Sequence, residues 1–435
     1  MIGKIATVGR WISQIGGTLL LAACATSNLV QPTPATLSDE QQYEKLFPYY
    51  AEVCALSRLG KKPGFGAEIT SGFGGHAVLY LNHVCRKQSD AYPVLGMCDE
   101  EPGNPADGTG LSVNAHYASA AWVAIEGREF FFDGNLKPGQ SLTREGYRAL
   151  QEQAKAKKIY DAVDFHEGVY ESMPASFSHT DAKYEISVAT DYAIAFGRNR
   201  YCARVPVDRP QMVKIVDYLN GLNKPYKDGQ KIFDWNLLTH NCSHVNHNAL
   251  AAAGIWDEWE MDRFLLVSLF DFPVPKNEFV NLMQRTNDLP IDDPEAIYDD
   301  PEARELLLQY GRLPTQPGAI ADLGTIASPN EVYDTQSRII FYDDPITGRY
   351  ERRFDTMLSD PRYFRLQDNL AHFAALYQKI ERERKPLDWY LRKRGMTSGP
   401  DSDAFRIFYQ KYYDYIGEQV QEVSHQTALL NGRAG

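Results

Sequence analysis

Residues 233–254 read Phe233-Asp234-Trp235-Asn236-Leu237-Leu238-Thr239-His240-Asn241-Cys242-Ser243-His244-Val245-Asn246-His247-Asn248-Ala249-Leu250-Ala251-Ala252-Ala253-Gly254. Asn241 is a strong N-cap and Gly254 suits the position just past a helix end. Between them Cys242, Val245, Ala249 and Ala252 fall at i, i+3, i+7 and i+10, one apolar face of a helix. Cys242 is thus expected in the first turn, facing the rest of the fold. Unsatisfied N–H groups and the positive dipole end there favour a thiolate, the nucleophilic form of cysteine. Its own N–H is also suited to stabilising an oxyanion. An imidazole from elsewhere completes a catalytic pair.

Upstream, the glycine-rich Ser71-Gly72-Phe73-Gly74-Gly75 runs into His76-Ala77-Val78-Leu79-Tyr80-Leu81-Asn82, an expected strand over 76–82. The ordered pair Gly75-His76-Ala77-Val78-Leu79-Tyr80 and Asn241-Cys242-Ser243-His244 resembles the circularly permuted papain-like superfamily. That group includes the lecithin:retinol acyltransferase-like and PPPDE-type proteins, with NlpC-type peptidases as unpermuted relatives. The resemblance spans roughly 70–255. It implies an α+β fold in which an antiparallel sheet packs on a cysteine-bearing helix, with His76 as base and Cys242 as nucleophile. Val245 departs from the aromatic common at that place, a conservative change for packing. The long gap between the motifs implies insertions.

A third polar residue should orient the imidazole from a neighbouring strand. In Ser112-Val113-Asn114-Ala115-His116-Tyr117, Asn114 and His116 share a strand face, and His116 is preferred. Asn241 and His244 are supporting residues. His83 lies at an odd offset from His76 and is expected on the opposite face. Against these stand plainer readings. Cys242 could be a small buried hydrophobe. His240, Cys242, His244 and His247 are dense in metal-ligand types, but Cys242 and His244 point apart on a helix, so no metal or cofactor is assigned. Under these readings His247 is solvated, and Arg198, Arg200 and Arg204 form structural ion pairs, with anion binding as the lesser alternative.

The N-terminus carries Lys4 and Arg10, an apolar run from Trp11 to Ala23, and Leu21-Ala22-Ala23-Cys24. The run is too short to span a bilayer, and the tetrapeptide resembles the lipobox of bacterial lipoproteins. By that resemblance 1–23 is a signal peptide and Cys24 the lipidated first mature residue. Ala25, in place of an aspartate, implies the outer membrane, with the protein facing the periplasm and lipid chains holding it there. Losing Lys4 and Arg10 would move the formal charge from −12 to −14, which argues against nucleic-acid binding. In an oxidising compartment Cys54, Cys85, Cys98 and Cys202 form an even set with three possible pairings, leaving Cys242 odd.

Beyond the signal, 24–40 reads as a tether and 41–285 as the catalytic domain. Residues 286–345 read as an irregular Asp/Pro-rich linker, and 346–435 as a helical accessory region. Within the catalytic part, 41–58 reads as an amphipathic helix, 142–158 as a helix, 184–207 as β-rich, and 119–133 as a hairpin turning at Glu126-Gly127-Arg128. The resulting expectation is thiol-dependent hydrolysis or acyl transfer on an amide of a cell-wall peptide or protein. The alternatives are a lipid ester as substrate, or a lipoprotein that binds a partner or a metal without catalysis.

Overall fold

The computed structural model describes residues 37–432 apart from 66–74, 88–90, 100–106, 172, 238–239, 260–273, 342–349 and 397. Cys24, the tetrapeptide that resembles a lipobox and most of the stretch expected as a tether lie outside the described residues. Residues 35–435 form one compact unit.

The sheet is mixed into the sequence but antiparallel throughout. Its strands are β1 (Tyr50–Leu56), β2 (His76–Leu81), β5 (Thr109–Ser112), β6 (Val123–Glu126), β7 (Arg200–Pro206) and β8 (Ile320–Gly324), in spatial order β6-β5-β2-β1-β7-β8. A separate small hairpin pairs β3 (Val84–Arg86) with β4 (Leu95–Met97). Every residue of β1 and β2 is buried, so the sheet centre is covered on both faces. On one side Phe131, from a short helix Arg128–Asp133, lies over Gly110, where any Cβ would collide with its ring. On the other, Phe279 of the helix Pro275–Asn287 packs against Tyr201 of β7. The cysteine helix, Cys242–Ala252, packs on β2.

Two disulfides close the even set: Cys54–Cys202, at facing positions of β1 and β7, and Cys85–Cys98, across the small hairpin. Cys242 remains a free thiol.

Several expectations are corrected. The helix expected over 41–58 ends at Leu46, and Tyr50–Leu56 is a central strand. Burial on both faces erases the polar alternation that would have marked it as a strand. The expected second hairpin arm, 129–133, is helical. Gly127 (φ 89°) and the left-handed Gly134 bracket one turn that buries Phe130, Phe131 and Phe132, and β6 pairs with β5 instead. The stretch 286–345 is no irregular linker. It holds helices Pro294–Asp299 and Pro301–Tyr310, each capped by an aspartate, and supplies edge strand β8. The section expected as β-rich over 184–207 is strand only in β7, preceded by a helix at His179–Ser187. The C-terminal part is helical as expected, with Leu366–Arg382 packed along Pro400–Leu430. No described helix is long and apolar enough to cross a membrane.

Candidate active site

Asn241 caps the cysteine helix. Its Oδ1 accepts from Ser243 N–H at 2.8 Å and His244 N–H at 3.2 Å, while its amide donates to the Leu237 carbonyl at 2.6 Å. This seats Cys242 in the first turn, buried against β2. The Ala77 N–H donates to Cys242 Sγ at 3.4 Å, so the sulfur lies beside the residue that follows His76, 165 positions earlier in the chain. Gly75, just before His76, has φ 80°, and a Cβ there would stand 2.2 Å from the Leu56 carbonyl. Only glycine enters β2 this way without strain.

The His76 ring is held from behind. Its Nε2 lies 3.0 Å from Ser112 Oγ, and the Ser112 hydroxyl donates to Asp191 Oδ1 at 2.7 Å. A hydroxyl has one proton; spent on the carboxylate, it leaves Ser112 to accept from His76. The neutral ring therefore carries its proton on Nε2, and Nδ1 keeps a lone pair. Asp191 is itself fully buried and gathers three more donors: Asn114 Nδ2 at 3.2 Å, Tyr117 OH at 2.5 Å and Tyr160 OH at 2.9 Å.

The group that meets His76 Nε2 is Ser112, with Asp191 behind it, whereas neither His116 nor Asn114 is placed on the ring. β5 ends at Ser112, so 114 and 116 never share a strand face with it. Asn114 joins the network one step removed, through Asp191. His116 is half-buried, stacks on Phe165, and its N–H donates to Asn114 Oδ1 at 3.1 Å. His83 sits in the turn after β2 with φ 60°.

Electrostatics set the resting state. Burial, then the charge of Arg198, pushes His76 down to about 3, so the ring is neutral at ordinary pH. Burial pushes the Cys242 thiol up, while the N–H groups of Ala77, Ser243 and Cys242 and the charge of Arg198 pull it back. The resting pair is therefore neutral thiol with neutral imidazole.

Arg198 was expected to form a structural ion pair. Arg200 does so with Asp133 and Asp322, and Arg204 with Glu40 and Glu52, but Arg198 donates to two backbone carbonyls. The buried Lys276, at the start of the helix 275–287, also approaches the site and is lowered by burial to about 8.

Among the described residues, His240, Cys242, His244 and His247 belong to no group that brings three metal-ligand atoms together. His244 is buried edge-on to Trp259. His247, expected to be solvated, is buried between Trp256 and Trp259, with Nδ1 on Glu278 and Nε2 on the Asp257 carbonyl. Among the described residues, the groups that bring three metal-ligand atoms together are Glu52/Cys54/Cys202 and His83/Cys98/Asp107, and their sulfurs are tied in disulfides.

Comparison with known proteins finds no matching family model, curated protein or solved structure.

Proposed function

We propose that this protein is a cysteine-dependent hydrolase or acyltransferase of the bacterial cell envelope, with a permuted papain-like catalytic core. The observation that carries the reading is the free, buried Cys242 sulfur at 3.4 Å from the N–H of Ala77, the residue that follows a histidine whose Nε2 is held by Ser112, itself bonded to Asp191. With Nε2 engaged, Nδ1 is the nitrogen that takes the thiol proton. Cys242 attacks an amide carbonyl as that proton moves, forming the S–C bond and an oxyanion. Collapse expels the amine, which receives the proton from His76, and leaves a thioester. Water or an acceptor, deprotonated by His76, then attacks the thioester and returns the thiol. The N–H groups of Ala77 and Cys242 are the donors available to the oxyanion.

The lipobox ending in Cys24 and the two disulfides favour an exported, lipid-anchored protein, and so an amide of a cell-wall peptide or periplasmic protein as substrate. The test is labelling of the full chain by a thiol-directed activity probe, mapped to Cys242. Labelling that is lost in Cys242→Ala and falls at least tenfold in His76→Ala is the expected result. Equal labelling of the wild type and His76→Ala would return Cys242 to the status of a buried structural thiol.

A further inference from the structure

A second cluster of reactive side chains forms at the turn between β2 and β3. One ligand atom each from His83, Cys98 and Asp107 lies within 4.8 Å of the other two. Cys85 joins them through its disulfide with Cys98. His83 Nδ1 and Asp107 Oδ2 stand 3.4 Å apart, both buried, and no hydrogen bond reaches either atom. Buried polar atoms left in this way are costly and call for an explanation. A protonated ring would make the contact an ion pair, whereas a ring protonated only on Nε2 sets two lone pairs face to face. The spacing is that of two ligands on one cation. Bonds of about 2.0–2.1 Å at tetrahedral angles put N and O about 3.3–3.4 Å apart.

The disulfide is not what gathers these groups. The Cys98 N–H donates to the His83 carbonyl at 3.2 Å, and the Thr109 hydroxyl to the Val84 carbonyl at 2.7 Å. The Tyr80 hydroxyl donates to the Asp107 carbonyl at 3.1 Å, and β3 pairs with β4 so that Cys85 faces Gly96. The segments carrying the four side chains are therefore stitched together through backbone groups, and opening the S–S bond leaves them in place. The two disulfides also differ in access. Cys54 and Cys202 are fully buried, whereas Cys85 and Cys98 are half-buried, so a reductant meets the second pair first. Around the first pair the one nearby carboxylate of the ligand group, Glu52, is taken by Arg128 and Arg204.

We propose that His83, Cys85, Cys98 and Asp107 form a redox-gated site for a zinc-type divalent cation, closed as a disulfide and opened by reduction. A dithiol reduces the S–S bond by exchange: two electrons and two protons pass to Cys85 and Cys98, and the donor becomes a disulfide. The cation then displaces both thiol protons to solvent and takes two thiolates, the Asp107 carboxylate and His83 Nδ1. Two sulfurs with one nitrogen and one oxygen suit zinc and other borderline cations. Calcium and magnesium, which take oxygen ligands, are disfavoured. The site does not involve Cys242.

Cobalt(II), whose absorption reports thiolate coordination, tests this on the full chain. The protein is reduced by a phosphine without denaturant, freed of reductant under nitrogen, and titrated with cobalt and then zinc. Peptide mapping records which cysteines carry thiols. The expected result is one cobalt per reduced chain, with thiolate charge-transfer absorption that zinc abolishes and that the oxidised chain lacks. Cys98→Ser, which keeps every other cysteine, should lose the absorption; should it fail to fold, Cys85→Ser takes its place. Asp107→Asn and His83→Gln should each weaken cobalt binding about tenfold or more, since even the outer partners of a metal contribute that much. Should one of these two fail to fold, the other decides. No absorption when Cys85 and Cys98 are both shown to be thiols overturns the proposal. So does absorption that survives the serine variant, or that is indifferent to Asp107→Asn and His83→Gln. A Cys85–Cys98 bond that resists reduction in the folded chain overturns it too, because the site then never opens.

Discussion

Replacing Ser112 with alanine removes one oxygen from the centre of the molecule and tests the relay directly. The hydroxyl is fully buried, accepts from His76 Nε2 at 3.0 Å and donates to Asp191 at 2.7 Å. In Ser112→Ala the imidazole N–H stays buried without an acceptor, which costs about 1–3 kcal/mol. Asp191 keeps three of its four donors, so its loss is smaller, about 1 kcal/mol. The expected destabilisation is about 2–4 kcal/mol, read as a lower urea midpoint at unchanged slope. The chemical effect is separate. Without Ser112 nothing fixes the proton on Nε2, so part of the population places it on Nδ1, the nitrogen needed as base. Positioned general bases contribute on the order of 10²–10⁴ in rate, so losing only the orientation is expected to slow alkylation of Cys242 by iodoacetamide about tenfold or more. A variant within about 0.5 kcal/mol of wild type, alkylated at the same rate across pH, would refute the relay and the protonation state built on it.

Asn241→Ala removes the cap that accepts from Ser243 and His244, and is expected to cost about 1 kcal/mol in urea denaturation. It should also slow Cys242 alkylation, whereas no change in either would show that the first turn is held by packing alone. Stability should fall as pH drops from 6.5, the ordinary value for histidine, towards 3, because unfolded His76 takes up a proton that the folded ring refuses until about pH 3. Its share approaches 1.4 kcal/mol per pH unit at most, and is fully present above 6.5. Urea titrations at pH 7, 6, 5 and 4 should show a flatter decline in His76→Gln than in wild type, and parallel curves would refute the assignment.

What the sequence disclosed was local. Asn241 beside Cys242, and Gly75 beside His76, are read from neighbours, because a cap and a positive φ each involve a few adjacent residues. The relay is not local. Ser112 is an ordinary strand serine until β5 is placed against β2, and Asp191 comes from a loop nearly eighty positions further on. Asn114 and His116 looked better because polar side chains at i and i+2 suggest a shared face, but nothing nearby revealed that the strand stops at Ser112. Arg198 was grouped with Arg200 and Arg204 on spacing alone; the carboxylates that separate them arrive from positions 40, 52, 133 and 322. Tyr50–Leu56 and Phe130–Phe132 misled for the same reason, since the neighbours that bury them are distant in sequence.

The order of the sulfurs along the chain has a bearing on how the protein matures. Cys54, Cys85, Cys98 and Cys202 all precede Cys242, and each finds its partner among the earlier four. As the polypeptide emerges from its N-terminus, both crosslinks can close before the fifth of these sulfurs appears. By then Gly75, His76, Ser112, Asp191 and Arg198 have all been delivered, while the helix that carries Lys276 and the edge strand β8 are still to come.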